Sequence, residues 1–185
     1  MIVDPLVVGP PQGCQPLCLG CYKKLDLAVN TYRSVTEELR SGHFGLSNFN
    51  GIIQIAMLSR CEGCGWPQCG RNCSGRGTAF GHSGAECQLY ETVRHKLLAA
   101  DSSNLTPLYL VVVPLRCLLL QSDTDKWRTL LTMESHNKIR RKLPSIWRNN
   151  QENVVNRIRK EWGMVQYEED LIHTICGILE VWHTC

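Results

Sequence analysis

The sequence predicts a mainly α-helical chain that carries one small, irregular module held by metal. Three observations predict it: cysteines paired at chelating distances in the first half, apolar residues at helical spacing in the second, and Gly, Ser and Asn breaks between those stripes. At 185 residues, with 43% hydrophobic and 20% charged content, the chain suits one ordinary domain or a small one beside a medium one. The net charge of +3 is too small to argue for nucleic acid by itself.

The N-terminus MIVDPLVVGPPQG has no basic n-region and too short an apolar run for a secretory signal. The most apolar stretch, LYLVVVPLRCLLL (108–120), is broken by Pro114 and Arg116, whereas a membrane span needs about 20 apolar residues. The expectation is a chain of the cytoplasm and/or nucleus, not secreted and without a membrane partner. Thiols stay reduced there, so dense cysteine points to metal before disulfides.

Eight of the 11 cysteines (Cys14, Cys18, Cys21, Cys61, Cys64, Cys69, Cys73 and Cys87) lie in the first half. Cys18-Leu-Gly-Cys21 and Cys61-Glu-Gly-Cys64 are C-x2-C knuckles, each with a glycine that eases the tight turn. Cys69 and Cys73 form a C-x3-C pair, and His82 with Cys87 can supply imidazole plus thiolate. Four pairs make two four-ligand sites, and thiolate with imidazole is the donor set Zn2+ prefers. With four protein ligands each, such sites leave no position for a reacting water and are structural. Cys14 is left as a spare thiol or an alternative to Cys18. Cys117 and Cys176, inside LRCLLL and HTICGIL, read as buried small hydrophobes.

The run CLGCYKKLD, CEGCGWPQC, C-x3-C and then His before EC resembles the MYND zinc finger, and its wording is similar to arthropod SET-and-MYND domain proteins, the SMYD-like SmydA group. PLRCLLL, MESHNKIRR, NVVNRIRKEWG and IHTICGILEV are similar to the helical segment that follows the finger in that group. The resemblance implies interleaved ligands: Cys18, Cys21, Cys69 and Cys73 for one zinc ion, and Cys61, Cys64, His82 and Cys87 for the other. It implies a finger over 18–87 after a lead-in strand remnant at 1–17, then a small helical bundle over 88–185.

The chain departs from that group in three ways. His82 to Cys87 is H-x4-C where the group has H-x3-C. Residues 22–60, with the late apolar run GIIQIAML, read as an insertion, either a lineage-specific loop or translated intron. Its tolerance is no obstacle, because loop closure costs only about 0.6 kcal/mol per doubling of length. Finally, the Gly-x-Gly strand, the Asn-His-Ser-Cys segment and the catalytic Tyr of the group's lysine methyltransferases do not occur, so the SET core is expected to be missing.

The resulting expectation is a catalytically incomplete zinc-binding protein-interaction module, which the resemblance would have engage proline-containing peptides near Trp66 and Pro67. Two alternatives accompany it: a lysine methyltransferase using S-adenosylmethionine if a longer product exists, and a nucleic-acid-binding zinc protein.

In the second half each helix has its own signal. QLYETVRHKLLAA sets Leu89, Val93 and Leu97 on one stripe. LYLVVVPLRCLLL, β-branched and holding a proline, is expected to be an extended buried link followed by a helix. SDTDKWRTLLTM offers Ser122 as N-cap with Asp125 three residues on, and Trp127, Leu130 and Leu131 on one face. Val154, Val155, Ile158 and Trp162 form the next stripe, which Gly163 stops. Leu171, Ile172, Ile175 and Leu179 form the last, with acidic residues at its start. The basic cluster Lys138, Arg140, Arg141 and Lys142 reads as a solvated helix face. His136 beside Glu134 lacks a nucleophile or cofactor loop and is not expected to be catalytic.

Overall fold

The computed structural model describes residues 5–10, 16–25, 59–70, 72–75, 78, 81–100 and 102–182. Cys14 and most of the 22–60 segment lie outside them. Among the described residues the chain is mainly helical and has no strand; only two isolated antiparallel bridges occur, Leu17 with Lys24 and Arg60 with Pro67.

Helix α1 (Gly84–Glu91) starts where Ser83 in extended conformation accepts a hydrogen bond from the Glu86 amide. The predicted stripe is cut at Thr92–Val93, and α2 (Arg94–Ala99) follows; Val93 and Leu97 are buried and Leu89 packs at the core's edge. The Arg60 guanidinium donates to the carbonyls of Leu97 (2.7 Å) and Ala100 (2.8 Å), satisfying acceptors at the end of α2 that have no partner within the helix. A third bond, to the Gly65 carbonyl at 3.0 Å, ties that helix end to the cysteine-rich segment.

The run 108–120, expected to be an extended link followed by a helix, is helical in its first part as well. It ends α3 (Ser102–Tyr109), turns at 110–111 and forms α4 (Val112–Leu119). Pro114 sits at the third position of α4, where a helix amide needs no partner, so the proline costs nothing there. Tertiary burial overrides the β-branched preference: Leu105, Val111, Val112, Leu115 and Leu118 are all essentially inaccessible. By length and composition Leu105–Ser122 could cross a membrane, yet half of that window is buried within the body of the protein and forms its core.

Helix α5 (Thr124–Leu131) is capped by Asp123, not Ser122: the Asp123 carboxylate accepts from the Lys126 amide at 3.2 Å, while Ser122 donates to the Leu119 carbonyl. Its buried face carries Leu130 and half-buried Trp127; Leu131 turns outward and is 46% exposed. Helix α6 (Asn137–Arg140) and α7 (Pro144–Asn150) lead into two wider π-type turns, Gln151–Val155 and Arg157–Glu161, ended by Gly163 at φ +70°. Helix α8 (Glu169–Trp182) buries Ile172, Ile175 and His173, and packs on α4, α6 and the Gln151–Val155 turn.

The cysteine-rich segment and the helices share one core. Leu17, Leu19 and Trp66 join the helical residues in a single apolar cluster. Trp66 packs on Tyr90 (centroids 5.2 Å apart) and Tyr109 (5.3 Å), and Tyr90 meets Trp162 edge-on at 5.7 Å. The Tyr109 hydroxyl donates to the Leu17 carbonyl at 2.6 Å and accepts from its amide at 3.1 Å.

Candidate metal centres

Both C-x2-C knuckles fold by the same local rule. In the first, the Tyr22 amide donates to the Cys18 carbonyl (2.8 Å) and the Cys18 amide to the Lys23 carbonyl (2.9 Å). In the second, the Gly65 amide donates to the Cys61 carbonyl and the Cys61 amide to the Trp66 carbonyl, both at 2.8 Å. The left-handed residue each turn requires is therefore the one after the second cysteine: Tyr22 at φ +59° and Gly65 at φ +83°. Neither Gly20 nor Gly63, the glycines inside the knuckles, has positive φ. Gly63 is needed for space instead, since a Cβ there would lie 2.9 Å from the Cys87 sulfur. At Gly65 a Cβ would be strained by φ and would stand 3.1 Å from Leu98 Cγ, so Gly65→Ala is expected to lower stability by about 1 kcal/mol or more. A melting temperature equal to that of the parent chain would refute this.

These turns bring the eight sequence-predicted residues into two groups of four. Cys18, Cys21, Cys69 and Cys73 form one group, and Cys61, Cys64, His82 and Cys87 the other; within each, all ligand atoms lie within 4.8 Å of one another. The first and third pairs meet, as do the second and fourth, which is the interleaving the resemblance implied. Each group can hold a metal ion.

The spacing tests how well an ion fits. A tetrahedral zinc with Zn–S of about 2.3 Å sets its sulfurs about 3.8 Å apart, whereas a disulfide needs about 2.05 Å. The Sγ atoms of Cys18 and Cys73 are 3.5 Å apart, those of Cys21 and Cys69 3.5 Å, and those of Cys61 and Cys87 3.7 Å. His82 Nε2 lies 3.3 Å from the Cys64 sulfur. These are edges of a thiolate cage, and the described cysteines are all free thiols. The two groups flank one small cavity of about 10 Å³.

The electrostatics prepare one thiolate in each group. Burial acts to raise the Cys18 thiol, but amides of Cys21, Cys69 and Gly20 and the Cys73 thiol outweigh it and bring the group down to about 7. Cys61 reaches about 7 in the same way, through the amides of Cys64 and Gly63 and contacts with Cys87 and His82. Cys64, Cys73 and Cys87 are pushed up, in each case mainly by burial, and Cys69 rises to about 12. A metal ion entering either group therefore displaces protons, and acid opposes its binding.

Sequence reasoning missed two residues that support the second group. His82 Nδ1 lies 2.9 Å from Glu86 Oε2, on the imidazole edge opposite the nitrogen that faces the sulfurs. Glu86 is 1% exposed and is clamped by Arg116, whose Nε and Nη2 donate to the two carboxylate oxygens at 2.8 and 2.9 Å. Arg116 also donates to the carbonyls of Val8 (2.7 Å) and Leu19 (3.3 Å) and to the Tyr22 hydroxyl. The result is a buried line from the core helix α4 through Glu86 to His82. Burial would raise Glu86, but His82 and Arg116 outweigh it and hold the carboxyl below its ordinary range. His82 is raised, because its bond to Glu86 and that group's charge outweigh burial. Two signals were legible: His82 and Glu86 stand four apart, facing one another at a helix start, and Arg116 is the one charge inside an apolar run.

Other candidates settle as follows. Cys117 and Cys176 are buried, and burial raises both to about 12, which leaves them inert. His136 is a left-handed residue (φ +52°) whose amide donates to Glu134 Oε1 at 3.0 Å; the pair shapes the turn before α6. Arg140 is not part of a solvated face: it is 5% exposed, bound to Glu180 at 2.8 Å and to the His173 carbonyl at 2.9 Å. Trp66 is 1% exposed and Pro67 is buried, so the indole ring packs the core and presents no surface to a peptide. No protein-family model, curated protein or solved structure matches the chain.

Proposed function

We propose that the chain is a zinc-binding protein-interaction module of MYND type, in which two structural ions hold a finger against a helical body. One observation carries the proposal: eight thiolate and imidazole groups converge as two sets of four, with every ligand atom within 4.8 Å of its companions. Thiolate-rich sets of this kind select zinc over harder cations, and four protein ligands close the coordination sphere. The role of each ion is then to replace a core that the finger lacks, while the surfaces it fixes bind partner proteins. The resemblance to SET-and-MYND proteins supports the interaction role; the burial of Trp66 moves any peptide contact off that ring.

Zinc counting tests the proposal. The purified chain is expected to hold two zinc ions, and His82→Ala or Cys69→Ser to hold one each. A metal-free chain that folds normally, or two ions retained in both variants, would overturn the assignment. Saturable binding of S-adenosylmethionine with methyl transfer to lysine would favour the methyltransferase reading, and salt-sensitive binding to mixed-sequence nucleic acid would favour the third.

A further inference from the structure

Residues 137–150, which include α6 and α7, form a corner of unusual composition. They contain five cations, Lys138, Arg140, Arg141, Lys142 and Arg148, and no Asp or Glu. Arg140 is satisfied by Glu180, and Arg141 by Asp170 at 2.7 Å. Among the described residues no carboxylate lies within ion-pair distance of Lys138, Lys142 or Arg148, and all three are exposed. Between them stand Ile139 (60% exposed), Leu143 (44%) and Ile146 (38%), three of the six large apolar side chains that the described part of the protein leaves in solvent.

The corner is held rigidly. Trp147 stacks on buried His173 with centroids 3.7 Å apart, and the Arg141 guanidinium covers the indole at 4.7 Å. Asn137 Nδ2 donates to the Thr174 hydroxyl at 2.9 Å, and Asn150 Nδ2 to Glu180 at 2.5 Å. Both helices are thus fixed to α8 through their inward groups, while the aliphatic and unpaired cationic groups point away. A surface kept in place and left both apolar and positive is matched by a partner that is apolar and negative.

We propose that this corner is a docking surface for an acidic amphipathic helix of another protein, whose Leu- or Ile-type residues cover Ile139, Leu143 and Ile146 while its carboxylates meet Lys138, Lys142 and Arg148. Charge complementarity selects an acidic partner, and the aliphatic side chains among the cations select an apolar stripe beside those acids. An anionic bilayer fits less well, because membrane-surface helices are long and bring aromatic anchors, whereas these helices are of four and seven residues and the one aromatic, Trp147, is already stacked. Nucleic acid would leave the aliphatic groups without a role. This surface is separate from both cysteine groups, so it does not depend on which metal they hold.

The test uses the full zinc-loaded chain and a fluorescein-labelled synthetic peptide of about four helical turns with Leu and Glu on one face, read by fluorescence anisotropy. Binding is expected, weakening several-fold between about 50 and about 300 mM salt. The same residues scrambled to destroy the stripe should bind about tenfold less tightly. Both the charge-reversed K138E/K142E/R148E chain and the I139S/L143S/I146S chain should lose about tenfold or more in affinity. Their exposed positions should keep the parent's far-UV spectrum and zinc content. Equal binding by the scrambled peptide, no loss in either variant, or preference for phosphatidylserine vesicles or duplex DNA over the peptide would overturn the proposal.

Discussion

Chelation of the two proposed zinc ions is expected to unfold the chain beyond the cysteine-rich segment. Structural zinc contributes on the order of 10 kcal/mol per site, about the whole stability of an ordinary domain at 5–15 kcal/mol. Apart from its cysteines, the described part of the cysteine-rich segment buries few apolar side chains, Leu17, Leu19, Trp66 and the prolines Pro16 and Pro67, too few to hold it closed without metal. Loss would not stay local, because Trp66 packs against Tyr90 and Tyr109, and the Leu17 backbone is bonded to the Tyr109 hydroxyl. Loss of the cysteine-rich segment therefore exposes the helical core at α1 and α3. The expected result is one cooperative melting transition with zinc and a much lower, broad one after chelation, with tryptophan emission shifted to the red as Trp66 meets water. An unchanged transition in a chain shown to be metal-free would mean that the cysteine-rich segment does not depend on metal.

The second large effect is expected from Glu86→Gln. The amide cannot hold Arg116 as a bidentate carboxylate does, and an uncompensated buried guanidinium costs about 3–5 kcal/mol. The same change removes the anion that orients His82, which should cost the second site about 10–100-fold in metal affinity. No ligand of the first site touches Glu86, and that site feels the change only through the bonds of Arg116 to Leu19 and Tyr22, so it should lose much less affinity than the second. Cobalt substitution separates the two, since a four-thiolate site and a three-thiolate, one-imidazole site differ in their visible bands. Selective weakening of the mixed site, together with a lower denaturation midpoint, is the expected outcome. Equal loss at both sites would show a general loss of fold, and no loss at either would remove Glu86 from the site.

The H-x4-C spacing has a physical consequence in this light. Ser83 caps α1 within that interval, and Glu86 falls one helical turn from His82, where its carboxylate reaches the imidazole. The arrangement also explains why α4 can keep a charge in its centre. Arg116 is 9% exposed in the most apolar stretch of the chain and is tolerated because Glu86, Val8, Leu19 and Tyr22 all accept hydrogen bonds from its guanidinium.

The helical character of the second half was legible because periodicity is a local property. Val93, Leu97, Val154, Val155, Ile158, Ile172 and Ile175 all lie on predicted stripes and are all buried. Misreadings came where burial or geometry outweighed propensity: the start of the β-branched run 108–120 is helical and not extended because it is enclosed on its sides, and Asp123 displaces Ser122 as the cap because its carboxylate reaches the free amide of Lys126. Arg140, in a basic run, was hidden because its partner Glu180 lies 40 residues away.

By itself the sequence determined the chemistry of the donors and their pairing within each knuckle, since two thiolates separated by a tight turn are neighbours whatever the rest of the chain does. It also determined that the striped segments of the second half are helical, because a stripe at helical spacing has one face to bury. Only the tertiary structure decided that Trp66 is a core residue, that Glu86 and Arg116 stand behind His82, and that Ile139, Leu143 and Ile146 stay uncovered. Those outcomes depend on which distant surfaces meet, and contacts such as that of Leu17 with Tyr109, 92 residues apart, leave no trace in local spacing.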